Sequence, residues 1–421
     1  MEKEAIFIDD LAKPQLNEVQ RGALEWASTQ TVELCPDSIQ REAEQKTGLS
    51  NWGDPGFRQR LELLCDEWDS DSGLSNLGRI SLRNKLLQHS TSRLLIHEQW
   101  RLHPEILDIQ IERPIIVAGL PRSGTTHLLN LMAADRRLRS LPLWESYEPV
   151  PLPGEVATGD ANDPRFQRCQ QAWEGMQQMT PHLAAMHPMN PEHIHEELEL
   201  MGPNMGSYNY EWLSHSPRWR DHYYAEDQTY QYEYMRDVLK LLVWQQRDSE
   251  RARRWVLKCP QHLEQLPVLM RVFPDATVAI THRDPVAVIQ SAVTMQAYGQ
   301  RLNRKEVLME QLLEYWVERV EHLLQACVRD RACVPEAQSI DVPFQKLIKD
   351  DVHWVKRIYD KAELSSTPAA LAELQDFSRA HSESYGKVKY DLEGQFGVSP
   401  EALRERFGFY FEAFPEVFSP A

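Results

Sequence analysis

The stretch Ile115-Ile116-Val117-Ala118-Gly119-Leu120-Pro121-Arg122-Ser123-Gly124-Thr125-Thr126-His127-Leu128-Leu129 decides the fold. It opens as a short β-branched run, which predicts a strand buried on both faces. It breaks at Gly119 to Gly124 and resumes from Thr125 with helical periodicity. A strand, a glycine-bounded turn and a helix together make an anion cradle. Backbone N–H groups and the positive end of the helix dipole meet a negative ligand there. Gly119 and Gly124 have the spacing of a Walker A loop. That loop needs Lys and then Ser or Thr after its second glycine, and here Thr125-Thr126 follows. Arg122 puts a cation inside the turn instead. The loop therefore reads as built for a phosphate-like anion, but not for ATP hydrolysis in the usual way.

Working outward, the pattern of buried strands returns at Arg254–Lys258, Thr277–Thr281 and Gln338–Val342, with helices between them. A further strand is expected at Leu138–Trp144, ending in Glu145. The fold class is α/β, with a P-loop-like parallel sheet flanked by helices. Residues 1–110 read as a helical N-terminal region without chemistry of its own, a cap or an association surface that leaves room for a homo-oligomer. Residues 111–421 read as the α/β domain, carrying a large helical insertion over 155–250. That insertion is rich in aromatic residues (Trp173, Tyr208, Tyr210, Trp212, Trp219, Tyr223, Tyr224), which suggests a hydrophobic substrate pocket.

Composition narrows the function. The chain has 46 basic and 63 acidic side chains, a net charge of −17. That argues against non-specific nucleic-acid binding, which needs a basic face. No apolar run reaches the roughly 18 residues of a membrane span. The six cysteines form no C-x-x-C pair and no metal-like cluster. Together with an N-terminus that lacks a secretory signal, they point to a reducing cytoplasm. His193-x-His195-Glu196 lacks the spacing of a metal motif, so no metal is expected.

Three segments taken in order resemble the sulfotransferase family that uses 3′-phosphoadenosine 5′-phosphosulfate (PAPS). Gly119–Thr126 resembles its 5′-phosphosulfate loop. Arg283, with Ser291 eight residues later, resembles its 3′-phosphate motif. Trp255-Val256-Leu257-Lys258, continuing through His262, resembles the strand between them. The similarity is to a bacterial branch with a helical N-terminal region and a helical insertion. The resemblance implies transfer of a sulfuryl group from PAPS to a hydroxyl, with 3′-phosphoadenosine 5′-phosphate (PAP) as product. It implies that Arg122, Ser123, Gly124, Thr125 and Thr126 hold one anion and that Arg283 and Ser291 hold the other. Lys387, after Gly386, is a further candidate for the second.

The chemistry of the residues agrees. PAPS carries two separate anionic groups and needs two cationic loops at one sheet edge. Sulfuryl transfer needs in-line geometry, a cation at the leaving oxygen and a base for the acceptor hydroxyl. Arg122 and Lys258 are the candidates at the leaving oxygen, since a lysine ending a buried strand requires a reason. For the base, the resemblance offers Glu145 first and His262 second, followed by His195 or Glu197. The acceptor expected from the aromatic insertion is a hydrophobic small molecule or lipid. A P-loop kinase or NTPase, or a non-catalytic nucleotide-binding protein on this fold, is the competing reading.

Overall fold

The computed structural model describes residues 5–246, 254–382 and 388–418. Five parallel strands form one sheet: β1 (Ile115–Gly119), β2 (Leu138–Arg139), β3 (Arg254–Lys258), β4 (Thr277–His282) and β5 (Ser339–Pro343). Their spatial order is β2-β3-β1-β4-β5. The alternation of a buried strand separates two cores. Ile116, Ala118, Trp255, Leu257, Val278 and Ile280 face one side, and Ile115, Val117, Val256 and Ala279 face the other. Successive side chains on a strand point to opposite faces, so both faces must be covered. The helices Thr229–Gln245, Pro285–Asn303 and Met309–Asp330 cover the first. The helices Thr125–Ala133 and Asp351–Lys361 cover the second.

Strand order sets the position of the site. From β1 the chain crosses to β2 and β3 on one side, then passes to β4 on the other. The connections leaving the carboxyl ends of β1, β3 and β4 therefore diverge at a crevice, where ligands of open α/β sheets bind. Register brings their ends together, with Val117 opposite Lys258 and Gly119 opposite Thr281.

The strand expected at Leu138–Trp144 is only the edge pair Leu138–Arg139. Pro142 lacks an N–H for a ladder, and the chain turns into a short helix, Leu143–Tyr147, that begins right after it. The N-terminal region is helical, as expected, and it shares a core with the insertion. Leu61, Trp68 and Leu86 pack with Met205, Tyr210, Trp219 and Tyr223. Among the described residues, no helix is long and apolar enough to cross a membrane.

Candidate active site

The anion loop is held from beneath. A Cβ at Gly119 would overlap Thr281 Oγ1 on the neighbouring strand, so only glycine lets β1 run this close to β4. Thr281 Oγ1 lies 2.7 Å from Ser123 Oγ, which donates to the Leu120 carbonyl at 2.5 Å. The fully buried Ser123 hydroxyl therefore braces the loop and does not face a ligand. Arg122 and Gly124 both have left-handed backbones, φ 65° and 86°. At Gly124 a Cβ would also come within 2.8 Å of the Phe344 ring. The strained Arg122 costs about 1–2 kcal/mol, the kind of conformation that persists at ligand clamps. Beyond the turn, the Thr125–Ala133 helix offers its first N–H groups, which have no partner within a helix.

The two expected anion sites are joined through Arg122. Its Nε donates to Ser291 Oγ at 3.0 Å, and an Nη donates to the Met186 carbonyl at 3.0 Å. Ser291 passes a hydrogen bond to Tyr390 Oη at 2.9 Å. Arg283 donates to the Arg122 carbonyl and lies 4.2 Å over the Phe344 ring. Its Nε is buried without a partner. Burial, with Arg122 beside it, lowers the Arg283 pKa. Among the described residues, no carboxylate forms an ion pair with either guanidinium. Lys387 lies outside the described residues.

Lys258 ends β3 next to this loop. Its Nζ donates to Thr126 Oγ1 at 3.1 Å and forms an ion pair with Glu196. Burial raises the Glu196 pKa despite that lysine. The neighbouring Glu197 faces inward. It accepts the Lys258 backbone N–H at 2.9 Å and approaches His262 Nε2 at 2.5 Å. The other ring nitrogen of His262 lies 2.9 Å from Tyr232 Oη. His262 is fully buried, and with both nitrogens engaged it holds the β3 loop in place.

Glu145 is elsewhere. The short helix after Pro142 returns it to β2, where it pairs with Arg139 and accepts from Gln246 Nε2 at 2.9 Å. It lines a second cavity with Trp144, Arg165 and Trp244, and it is absent from the walls of the cavity that reaches the anion loop.

That cavity, of about 320 Å³, begins at Pro121, Arg122, Thr125, Thr126 and Glu196. It runs past His187, His195 and Tyr147 to an apolar wall that includes Trp212, Met295 and Trp316. Of the aromatic residues named from the insertion, Trp212 lines it. Tyr208, Tyr210, Trp219 and Tyr223 are buried in the cores. The N-terminal region contributes Leu74 and Lys85 to the walls, so it does more than cap the domain. Lys85 lies 4.1 Å over the Tyr147 ring and 3.3 Å from Glu199.

Sequence reasoning missed Glu196 as a site residue. The adjacent acids Glu196-Glu197 carried the signal, because one faces the cavity and the other the core. It named His195 as a candidate base but missed its packing with His187 and His193; the three ring centroids lie 5.7–6.0 Å apart.

Comparison with known proteins agrees with this geometry. The chain is similar to the sulfotransferase STF1 of Mycobacterium tuberculosis, with 28% identity over 89% of this chain and 98% of that one, at a TM-score of 0.76. The sulfotransferase STF9 of Mycobacterium avium shares the fold at a TM-score of 0.79, with 24% identity over 90% of this chain and 96% of that one. No curated protein matches the sequence. The profile of the sulfotransferase family matches residues 114–368, which span the anion loop, the insertion and all five strands, and the chain therefore belongs to the sulfotransferase family and is a sulfuryl-transferring enzyme.

Proposed function

We propose that the sulfuryl donor is PAPS and that the acceptor is a hydroxyl on a hydrophobic small molecule or lipid. One observation carries this reading. A single cavity runs from the Arg122 guanidinium, which forms no ion pair with a carboxylate among the described residues, beside a helix N-terminus, to a wall of tryptophan and methionine, and Arg283 lies directly behind Arg122, donating to its carbonyl. The orphaned Arg283 Nε, with Arg122 and Ser291, suits a 3′-phosphate. Thr125, Thr126 and Lys258 suit the 5′ side. Bound there, PAPS supplies an activated sulfuryl group.

The residues supply the rest. The Glu196 carboxylate takes the proton of the acceptor hydroxyl as that oxygen bonds to sulfur. The bond from sulfur to the bridging phosphate oxygen breaks at the same time. The Lys258 ammonium and the Thr126 hydroxyl, 3.1 Å apart, would stabilise the charge that collects on the leaving oxygen. Burial strengthens Glu196 as a base by raising its pKa. This reading prefers Glu196 to both Glu145 and His262.

Thermal unfolding with PAP, and separately with ATP and Mg²⁺, tests the donor. Stabilisation by PAP alone is expected. Stabilisation by ATP and Mg²⁺ alone would favour a kinase or NTPase instead. Incorporation of labelled sulfate into a panel of hydroxylated acceptors separates an enzyme of this specificity from a nucleotide-binding relative.

A further inference from the structure

The far end of the cavity holds a glycine that the helix itself does not require. Gly299 lies inside the helix Pro285–Asn303 and lines the cavity. A Cβ there would meet no atom within 4 Å. Glycine is the poorest helix former after proline. An interior glycine usually answers to a positive φ or to a neighbour that leaves no room for a side chain, and Gly299 has neither. The empty volume that a side chain would fill belongs to the cavity.

One residue further on, Gln300 also lines the cavity, and its Oε1 is buried with no hydrogen-bond partner. Buried polar atoms are nearly always satisfied, so this carbonyl is an acceptor awaiting a donor. The charges around it are already balanced. Arg304 is paired with Asp71 at 2.6 Å. Burial lowers the His215 pKa and keeps its imidazole neutral near neutral pH. A group arriving at this end would therefore find a neutral acceptor and no uncompensated charge.

We infer that the acceptor is an elongated, uncharged, apolar molecule with a second hydroxyl or amide N–H at its far end, admitted by Gly299 and received by Gln300. This rests on the reading of the cavity as the acceptor site of a PAPS-dependent enzyme. Gly299 sets the length that fits, and Gln300 sets the preference for a polar terminus.

Primary alkanols from hexanol to hexadecanol, and the matching α,ω-diols, provide the test, with labelled PAPS as donor. The wild type is expected to favour long diols over alkanols of equal length by about tenfold in kcat/KM, the effect of one buried neutral hydrogen bond. Gln300→Leu should erase that preference. Gly299→Leu should lower the ratio of long to short acceptors at least tenfold. Gly299→Ala should hold or raise the thermal midpoint. If both variants keep the wild-type ratios, or if Gly299→Ala lowers the midpoint, the inference falls. If PAP stabilises the protein but none of these acceptors is sulfated, the acceptor class is wrong while the donor reading stands. If PAP gives no stabilisation, the donor reading itself fails.

Discussion

Arg122 and Ser291 lie 169 residues apart in the chain and meet through a 3.0 Å hydrogen bond from Nε to Oγ. The loop after β1 and the helix after β4 are thus joined through one guanidinium, and the two anion sites expected from the sequence adjoin each other. Arg122→Ala should remove a charge-assisted contact and its steering of Ser291. Such contacts contribute about 1.5–3 kcal/mol. Titration calorimetry with PAP should show affinity falling at least tenfold. Ser291→Ala should cost less, since the guanidinium remains.

Glu196 and Glu145 make opposite predictions. Glu196→Gln should preserve PAP binding and lower kcat by roughly 10²–10⁴, the usual contribution of a positioned base. Glu145→Gln should leave kcat within roughly threefold, because its carboxylate is tied to Arg139 away from the cavity. In the wild type, kcat should fall as acid protonates Glu196, and the fall should begin above the ordinary glutamate value of 4.5, because burial raises its pKa. Steady-state kinetics against pH decides both points. A fully active Glu196→Gln variant would move the base elsewhere.

Glu211 and Glu264 share one buried guanidinium. Arg319 is fully buried between them. It reaches Glu211 at 2.9 Å and Glu264 at 2.6 Å. Arg319→Met would leave two buried carboxylates facing each other, which costs about 3–5 kcal/mol when a buried pair is broken. Urea unfolding should register that loss. Tyr315, which donates to Glu211 at 2.6 Å and lines the cavity, would lose its anchor, so the KM for the acceptor should rise as well.

Much of this was legible in the sequence. The β-branched runs announced the strands, and Gly119, Arg122 and Gly124 announced the tight turn between β1 and its helix, because local chemistry dictates both. Lys258 stood out as a charge ending a buried strand. Glu145 misled because β2 stops at Arg139 and the chain turns at Pro142 into a short helix, so the position that looked like the end of a strand is a helical turn. His262 misled because its partners, Glu197 and Tyr232, are 65 and 30 residues away. The cavity wall was hidden for a similar reason. Trp316 and Leu74 arrive from regions far apart in the chain, and no period or spacing marks such a meeting. Ser123 shows that a residue in the right loop can still turn its hydroxyl inward.

The three histidines beside the cavity predict how stability depends on pH. Burial, and then the Lys258 charge, lowers the His193 pKa to about 4. Burial lowers His195 to about 3, with His193, Lys258 and Lys85 pushing the same way and Glu199 opposing. Burial also holds His187 well below its ordinary value, with His193, His195, Lys258 and Arg122 adding to it. In the unfolded chain each would titrate near 6.5. Above that pH neither state carries these protons and the stability is complete. As pH falls below it, the unfolded chain takes up protons that the native state refuses, so stability drops. The loss continues until the native values, about 4 and about 3, are reached. Denaturant titrations from pH 6.5 down to the carboxylate range should therefore give a steadily falling unfolding free energy. His195→Asn should make that slope shallower by up to one proton. A wild-type slope near zero over the same interval would mean that these imidazoles already bind protons in the native protein, and the argument for three neutral rings beside the cavity would fail.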